Sequence, residues 1–269
     1  MLPAATPPPA QRPPIPSATV LVLRDGAAGL EVFMLVRNRV VDFASGALVF
    51  PGGKNDPQDD AAAWEALAPV SAAHPTRPYW VAAMRETFEE TGLLLAHAKD
   101  GSPIDGKRAA ALTAASQTRV SDGAQLFADL IVREGLTLAT ERLVPFAHWV
   151  TPEAMPKRFD THFFLAAAPE GQIAVHDGSE TVESLWISPR QAIADGEAGK
   201  RTLVPATTLN LDLLAKSRSV AEAFAHARAR RVVTVMPTMT KTPDGMLISI
   251  PADAGYDTTS VLVPRPSPA

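Results

Sequence analysis

The string RETFEETGL, at residues 85–93, constrains this chain more than any other segment. In a helix that advances about 100° per residue, Glu86, Glu89 and Glu90 fall within an arc of roughly 100° on one face. If the helix extends over residues 81–95, the apolar residues on the nearly opposite face are Val81, Met84, Phe88 and Leu95. The pattern therefore predicts an amphipathic helix that buries one face and presents acid on the other.

Three carboxylates this close repel one another unless a positive charge compensates them. Oxygen ligands alone favour Mg²⁺ or Mn²⁺, and the absence of a nearby His or Cys in the sequence argues against zinc at these glutamates. Arg85 precedes Glu89 by four residues, so it can pair with that carboxylate and hold its rotamer. The alternative is an ordinary solvated acidic face, on which the same pair would contribute only tenths of a kcal/mol.

A glycine turn lies upstream of the predicted helix. Residues 47–50 read as a short strand, and they run directly into Pro51-Gly52-Gly53-Lys54. Paired glycines let a backbone reach positive φ and approach a ligand closely, although a plain β-turn has the same signature. The turn is therefore a candidate to face a metal or a phosphate.

Together the turn and the acidic helix resemble the box of the Nudix hydrolases, G-x5-E-x7-R-E-U-x-E-E-x-G-U, in which U is aliphatic. The chain departs from this pattern at three places. Asp59 stands where the family has Glu, Thr87 occupies a usually aliphatic position, and Arg85 comes 18 residues later than the compact pattern allows. The insert at about residues 60–78 contains Trp64 and several prolines, so we expect a helical turn and an irregular loop that bulge outward at little cost.

The split box is similar to the coenzyme A diphosphatase branch of the family. Further segments share this resemblance, and they are residues 35–39 (LVRNR), Phe43, 49–53 (VFPGG), 149–153 (WVTPE), 158–164 (RFDTHFF) and 180–186 (ETVESLW). The resemblance implies metal-dependent hydrolysis of CoA or acyl-CoA to 3′,5′-ADP and a 4′-phosphopantetheine product. It implies that Glu86, Glu89 and Glu90 and the backbone of Gly52 bind Mg²⁺ or Mn²⁺, and that Arg85 orients them.

Two open questions concern the general base and the substrate. Family members often take the base from an acid shortly before a strand-ending Trp, so Glu180 and Glu183 are both candidates, and Glu180 is preferred because Glu183 can alternate into the strand. Arg37, Lys54 and Arg158 are candidates to bind phosphate. ADP-ribose or NADH is the alternative substrate, and a non-catalytic nucleotide-binding regulator is the alternative class of protein. The six histidines show no ligand spacing, with His162 a weak exception.

Composition excludes several other functions. A net charge of −4 leaves no basic footprint for nucleic acid, and the absence of cysteine excludes disulfides, thiol nucleophiles and cysteine zinc sites. No apolar run reaches the roughly 18 residues needed to cross a bilayer, and the first residues lack the layout of a secretion signal. We expect a cytoplasmic enzyme, and the family tendency suggests a homodimer.

The remaining pattern predicts an α/β fold, a mixed sheet sandwiched between helices. Residues 1–16 read as a proline-rich disordered tail, residues 17–230 as the Nudix domain with a helical insertion at about 104–136, and residues 231–269 as an extension packed on it. Two β-like runs, residues 232–236 and 246–250, suggest a C-terminal hairpin joined by Pro243-Asp244-Gly245. That hairpin would cover core, complete the site rim or bind a second subunit.

Overall fold

The computed structural model describes residues 13–37, 46–70, 75–117, 123–174 and 181–264. Its main sheet has eight strands in the order β10-β7-β8-β1-β2-β3, with β4 paired to β1 and β9 paired to β2. The strands are β1 (Ile15–Gly26), β2 (Gly29–Arg37), β3 (Leu48–Val49), β4 (Gly52–Lys54), β7 (Val144–Val150), β8 (Phe159–Ala167), β9 (Thr181–Ile187) and β10 (Thr234–Val235). The sheet is mixed, because β1 runs parallel to β8 and β7 parallel to β10, whereas the other pairs are antiparallel.

Helices cover both faces of this sheet. They are α1 (Trp64–Leu67), α2 (Arg77–Thr91), α3 (Gly106–Gln117), α4 (Gly123–Arg133), α5 (Pro189–Glu197), α6 (Pro205–Leu214) and α7 (Val220–Ala229). Alternate residues of β1 divide between two cores: Val20 packs with the residues of α2 and α4, and Leu21 packs with α6 and α7. This period-2 alternation is what a strand buried on both faces requires. The predicted α/β sandwich is confirmed.

Helix α2 carries the RETFEET part of the string and ends at Thr91, so Leu95, which was expected on its apolar face, lies beyond the helix and is buried in the same core. Val81, Met84 and Phe88 are buried against the sheet. The helix stops at Gly92, which has a φ of 71° and so occupies the left-handed region that glycine reaches without strain. Among the described residues, no helix is both long enough and apolar enough to cross a bilayer.

Smaller sheets complete the fold. Strands β5 (Ala96–His97) and β6 (Thr137–Leu138) pair beside the helical insertion. A three-stranded sheet near the C-terminus comprises β11 (Thr238–Thr242), β12 (Gly245–Ser249) and β13 (Ser260–Pro264).

Three boundaries differ from the sequence predictions. Strand β1 starts at Ile15, inside the predicted tail, because Ile15 pairs with Phe159 of β8. The first strand of the C-terminal hairpin is β11, whereas the predicted run at residues 232–236 contains β10. Thr234 and Val235 of β10 pair with His148 and Trp149 of β7, so the predicted extension adds a strand to the main sheet. Local β-propensity identified the strands, but the partner of each strand depends on contacts distant in sequence.

Candidate active site

Arg85 is the anchor of the acidic cluster. Its side chain is only 5% exposed, and that of Asp59 is 1% exposed. The guanidinium Nε and NH2 donate to the two carboxylate oxygens of Asp59, each at 2.9 Å. Asp59 also accepts from the amide of Asp56 in a capping box that begins the short 3-10 helix Pro57–Asp60. The shorter side chain at position 59 therefore serves to hold Arg85 in place.

The other edge of the Arg85 guanidinium faces the glutamates of α2. Its NH1 donates to Glu86 Oε1 at 2.7 Å and to Glu89 Oε2 at 2.9 Å, and its NH2 also donates to the carbonyl of Lys54. The predicted contact with Glu89 is present. Burial alone would lower the pKa of Arg85, but hydrogen bonds to Asp59 and the surrounding negative charges raise it further above its ordinary value. Arg85 is thus a buried cation that is hydrogen-bonded to three carboxylates, those of Asp59, Glu86 and Glu89.

The glycine turn lies directly against the same glutamates. The amide of Gly52 donates to Glu90 Oε2 at 2.8 Å. A Cβ at Gly53 would lie 2.5 Å from the carboxylate carbon of Glu86, and a Cβ at Gly52 would lie 2.4 Å from the carbonyl oxygen of Ala18. The backbone contact and the φ of +152° require glycine at position 52, whereas a side chain at position 53 would displace the Glu86 carboxylate.

Glu89 carries the signature expected of a cation ligand. One of its oxygens, Oε1, is buried and has no hydrogen-bond partner. Burial raises the pKa of Glu89 to about 7, since Arg85 only partly offsets the loss of solvent and Glu86 adds repulsion. A buried carboxylate oxygen without a donor is costly unless a cation approaches it. The donor set is all oxygen, so it fits the hard ions Mg²⁺ and Mn²⁺.

The candidate phosphate-binding residues occupy one end of the main sheet. Lys54 ends β4 and pairs with Ser17, while Arg158 immediately precedes β8 and its carbonyl accepts from the amide of Ile15. Arg37 ends β2, which runs antiparallel to β1, so it lies toward the same end beside β3. The Nε of Arg158 donates to the Thr151 carbonyl. The geometry brings these three cations to one end of the sheet.

The structure describes only one of the two candidates for the general base. Glu180 lies outside the described residues. Glu183 forms a bidentate pair with Arg201, with oxygen–nitrogen distances of 2.9 and 2.7 Å. That hydrogen bonding holds the pKa of Glu183 below its ordinary value, which makes the carboxylate a weaker proton acceptor.

Sequence reasoning missed a cluster of His148, Asp160 and His162. Each offers a ligand atom, and these atoms lie within 4.8 Å of one another. His148 and His162 are directly opposite across β7 and β8, and Asp160 lies two residues before His162 on the same face. Among the residues that the structure describes, this is the one group of three or more His, Cys, Asp or Glu side chains whose ligand atoms all lie within 4.8 Å of one another. The D-x-H alternation within β8 was the available signal, but its partner His148 comes from another strand.

Comparison with known proteins supports the resemblance to the Nudix box. The profile described as the NUDT19 Nudix domain matches residues 76–214, which is more than half of the chain. A NUDIX hydrolase from Alicyclobacillus acidocaldarius has a similar structure, with a TM-score of 0.70 and 29% identity, over 80% of this chain and 97% of that one.

Curated relatives extend the likeness beyond the box. The human acyl-coenzyme A diphosphatase NUDT19 is 27% identical over 86% of this chain and 73% of its own length. The Caenorhabditis elegans protein named putative nudix hydrolase 7 is 28% identical over 69% of this chain, and the match spans 56% of that protein. The acidic helix, the glycine turn and the family profile together show that this chain belongs to the NUDT19-like branch of the Nudix hydrolase family.

Proposed function

We propose that this protein is a metal-dependent diphosphatase that hydrolyses CoA or acyl-CoA to 3′,5′-ADP and (acyl-)4′-phosphopantetheine. The observation that carries the metal-dependent chemistry is the buried Glu89 oxygen that has no donor, beside Glu86 and Glu90. The choice of substrate rests on the relatives from human, chicken and frog that are named acyl-coenzyme A diphosphatase, at 22–27% identity.

The proposed division of labour follows from the contacts of each residue. Glu86, Glu89 and Glu90, with the backbone of Gly52, would hold Mg²⁺ or Mn²⁺. Neutralisation of the diphosphate oxygens, and activation of water, is the chemistry that such an ion supplies when bound. Arg85 holds two of the three carboxylates in one orientation before substrate arrives.

The substrate's own charges would be met by the cations at the sheet end. Arg37, Lys54 and Arg158 are proposed to bind phosphate oxygens, and Arg offers the planar fork that suits them. The oxygen of water bonds to one phosphorus while the bond from that phosphorus to the bridging oxygen breaks. Glu180 is proposed to accept the proton of the attacking water, whereas Glu183 is already paired with Arg201.

Product analysis tests both the chemistry and the substrate. The purified protein is incubated with CoA, an acyl-CoA, ADP-ribose, NADH and a dinucleoside polyphosphate, with and without Mg²⁺ or Mn²⁺, and products are identified by mass spectrometry. We expect metal-dependent release of 3′,5′-ADP from CoA species. Cleavage of ADP-ribose or NADH alone would overturn the proposed substrate, and no cleavage of any compound would favour the nucleotide-binding regulator.

A matched pair of variants assigns the activity to the proposed site. The double change Glu89→Gln and Glu90→Gln should lower kcat by at least roughly 10²-fold, whereas Glu197→Gln should not, because Glu197 is exposed on α5, which packs on the opposite side of the sheet. Equal activity of the two variants would contradict the assignment. The homodimer and the cytoplasmic location stay predictions.

A further inference from the structure

We propose that His148, Asp160 and His162 form a second metal site, which binds a borderline divalent transition metal such as Zn²⁺. The site is built from β7 and β8 and is distinct from the glutamates of α2. The inference does not depend on the proposed diphosphatase activity. It rests on the convergence of three ligand atoms within 4.8 Å and on how each side chain is held.

His148 has the outer hydrogen bond that metal-bound histidines commonly make. Its Nδ1 lies 2.8 Å from the hydroxyl oxygen of Thr234 in β10, and its Nε2 lies 2.5 Å from Asp160 Oδ1. Without an ion, Nε2–H donates to Asp160 Oδ1 and the Thr234 hydroxyl donates to Nδ1; when an ion takes the place of the hydrogen on Nε2, the ring carries hydrogen on Nδ1 and the Thr234 hydroxyl accepts it. A second partner of this kind fixes ring orientation and increases ligand basicity.

Asp160 is held in the same manner. The hydroxyl of Tyr79, in the first turn of α2, donates to Oδ2 of Asp160 at 3.3 Å. The other oxygen, Oδ1, faces His148 and is the one available to the ion. Ligating carboxylates are themselves typically hydrogen-bonded on the oxygen that does not bind.

His162 is positioned by two rings. Its imidazole stacks on that of His148 with centroids 3.9 Å apart and planes 10° from parallel. The ring of Tyr79 packs edge-on against it, with centroids 4.4 Å apart. These two ring contacts keep the His162 imidazole next to the other two ligands.

The donor set selects the kind of metal. Two imidazoles and one carboxylate suit Zn²⁺ and other ions of the later first transition series, whereas Mg²⁺ prefers oxygen ligands alone. Ligands about 2.1 Å from a tetrahedral ion lie roughly 3.4 Å apart, so the widest separations in the cluster must shrink by rotation of the rings. All three residues are partly exposed, so water can reach the site and complete the coordination.

The simpler interpretation is a hydrogen-bonded His148–Asp160 pair that only packs against Tyr79. Metal titration separates the two interpretations. The full-length protein is stripped with EDTA, dialysed, saturated with Mg²⁺ to occupy the glutamates, and titrated with Zn²⁺ by calorimetry. A crystal of the zinc-loaded protein then locates the ion by anomalous scattering, at about 2.1 Å from imidazole nitrogen.

Variants of each site provide the controls. We expect His148→Asn and His162→Asn each to weaken Zn²⁺ binding at least about 100-fold, since each removes a direct ligand. The double change Glu89→Gln and Glu90→Gln, and the single change His226→Asn, should bind Zn²⁺ like the wild type. His226 is a matched control because it lies on α7, where its Nδ1 contacts the Ser217 hydroxyl. Thermal melting shows whether each variant folds.

Three results would overturn the proposal. The first is unchanged Zn²⁺ affinity in folded His148→Asn and His162→Asn protein. The second is loss of Zn²⁺ binding in the double glutamate variant alone, which would place the ion at the acidic site. The third is the absence of any Zn²⁺ binding by the wild type, which would leave the hydrogen-bonded pair as the role of the cluster.

Discussion

The acidic site and the histidine cluster lie against the same helix but are organised by different means. The glutamates of α2 are arranged around a buried cation, Arg85, and their carboxylates are directed toward it and toward Gly52. The histidine cluster consists of two imidazoles and one carboxylate whose ligand atoms lie within 4.8 Å of one another, and no Lys or Arg belongs to this described group. The acidic site is therefore ordered before an ion arrives, whereas the histidine cluster gains most of its positive charge from the ion itself.

This difference indicates whether the loss of a partner at each site affects folding stability or metal affinity. At the acidic site the protein has already desolvated Asp59, Arg85 and part of Glu89, so a single lost partner leaves a buried charge. At the histidine cluster the side chains of His148 and Asp160 are 17% and 26% exposed, so a lost partner is expected to affect metal affinity more than folding.

The largest expected effect concerns Arg85. The change Arg85→Ala leaves Asp59 buried without its partner, and we expect a loss of about 3 to 5 kcal/mol in the free energy of unfolding. Urea denaturation measures it. The matched control is Arg201→Ala, whose partner Glu183 is 49% exposed, and it should cost less than about 1 kcal/mol. Equal losses in the two variants would show that Arg85 does not organise a buried network.

The next effect concerns turnover at the acidic site. Glu89→Gln combined with Glu90→Gln should lower kcat by at least roughly 10²-fold, because two of the proposed cation ligands lose their charge. The same protein should retain Zn²⁺ binding, as measured by calorimetry in the presence of Mg²⁺. If this variant loses both properties, the two sites are not separate.

The pH dependence of stability gives a third test, made on metal-free protein in EDTA. Folding raises the pKa of Glu89 from 4.5 to about 7, so the folded state binds this proton more tightly than the unfolded state. The stabilisation is fully present below pH 4.5 and is lost as the pH rises through 7, by up to about 3 kcal/mol.

Glu89→Gln should remove this slope from the stability profile. Glu183→Gln is the control with the opposite sign, because the pKa of Glu183 is lowered by Arg201 and its contribution is lost as the pH falls. A slope that persists in the Glu89→Gln variant would mean that another group is responsible.

The smallest effect concerns the outer hydrogen bond of the histidine cluster. Tyr79→Phe removes the donor to Asp160 Oδ2 and should weaken Zn²⁺ binding about tenfold, with a change in unfolding free energy within about 1 kcal/mol. Tyr256→Phe is the matched control, since Tyr256 bonds to Asn210 and Trp149 in the opposite core. Similar Zn²⁺ affinity in both variants would remove Tyr79 from the proposed site.

Much of the acidic site was predictable because it is local. Glu86, Glu89 and Glu90 share a helix turn, so their spacing in sequence sets their spacing in space. The glycine turn was also predictable, since paired glycines are a local signal and glycine is required at position 52 by the backbone of Ala18 and Thr19. The role of Asp59 could not be predicted, because its partner Arg85 lies 26 residues away and the insert between them replaces the shorter spacing of the compact box.

The amino-acid sequence by itself determined the family, the acidic face of α2, the glycine turn and the alternation that buries the main sheet on both faces. Only the tertiary structure decided that β10 joins β7 and that His148 meets Asp160 and His162 across two strands. Short-range patterns can be predicted from a sequence because every helix has the same period and every strand has the same period. Strand pairing and register depend on contacts between distant segments, and one sequence does not contain that distance information in any local pattern.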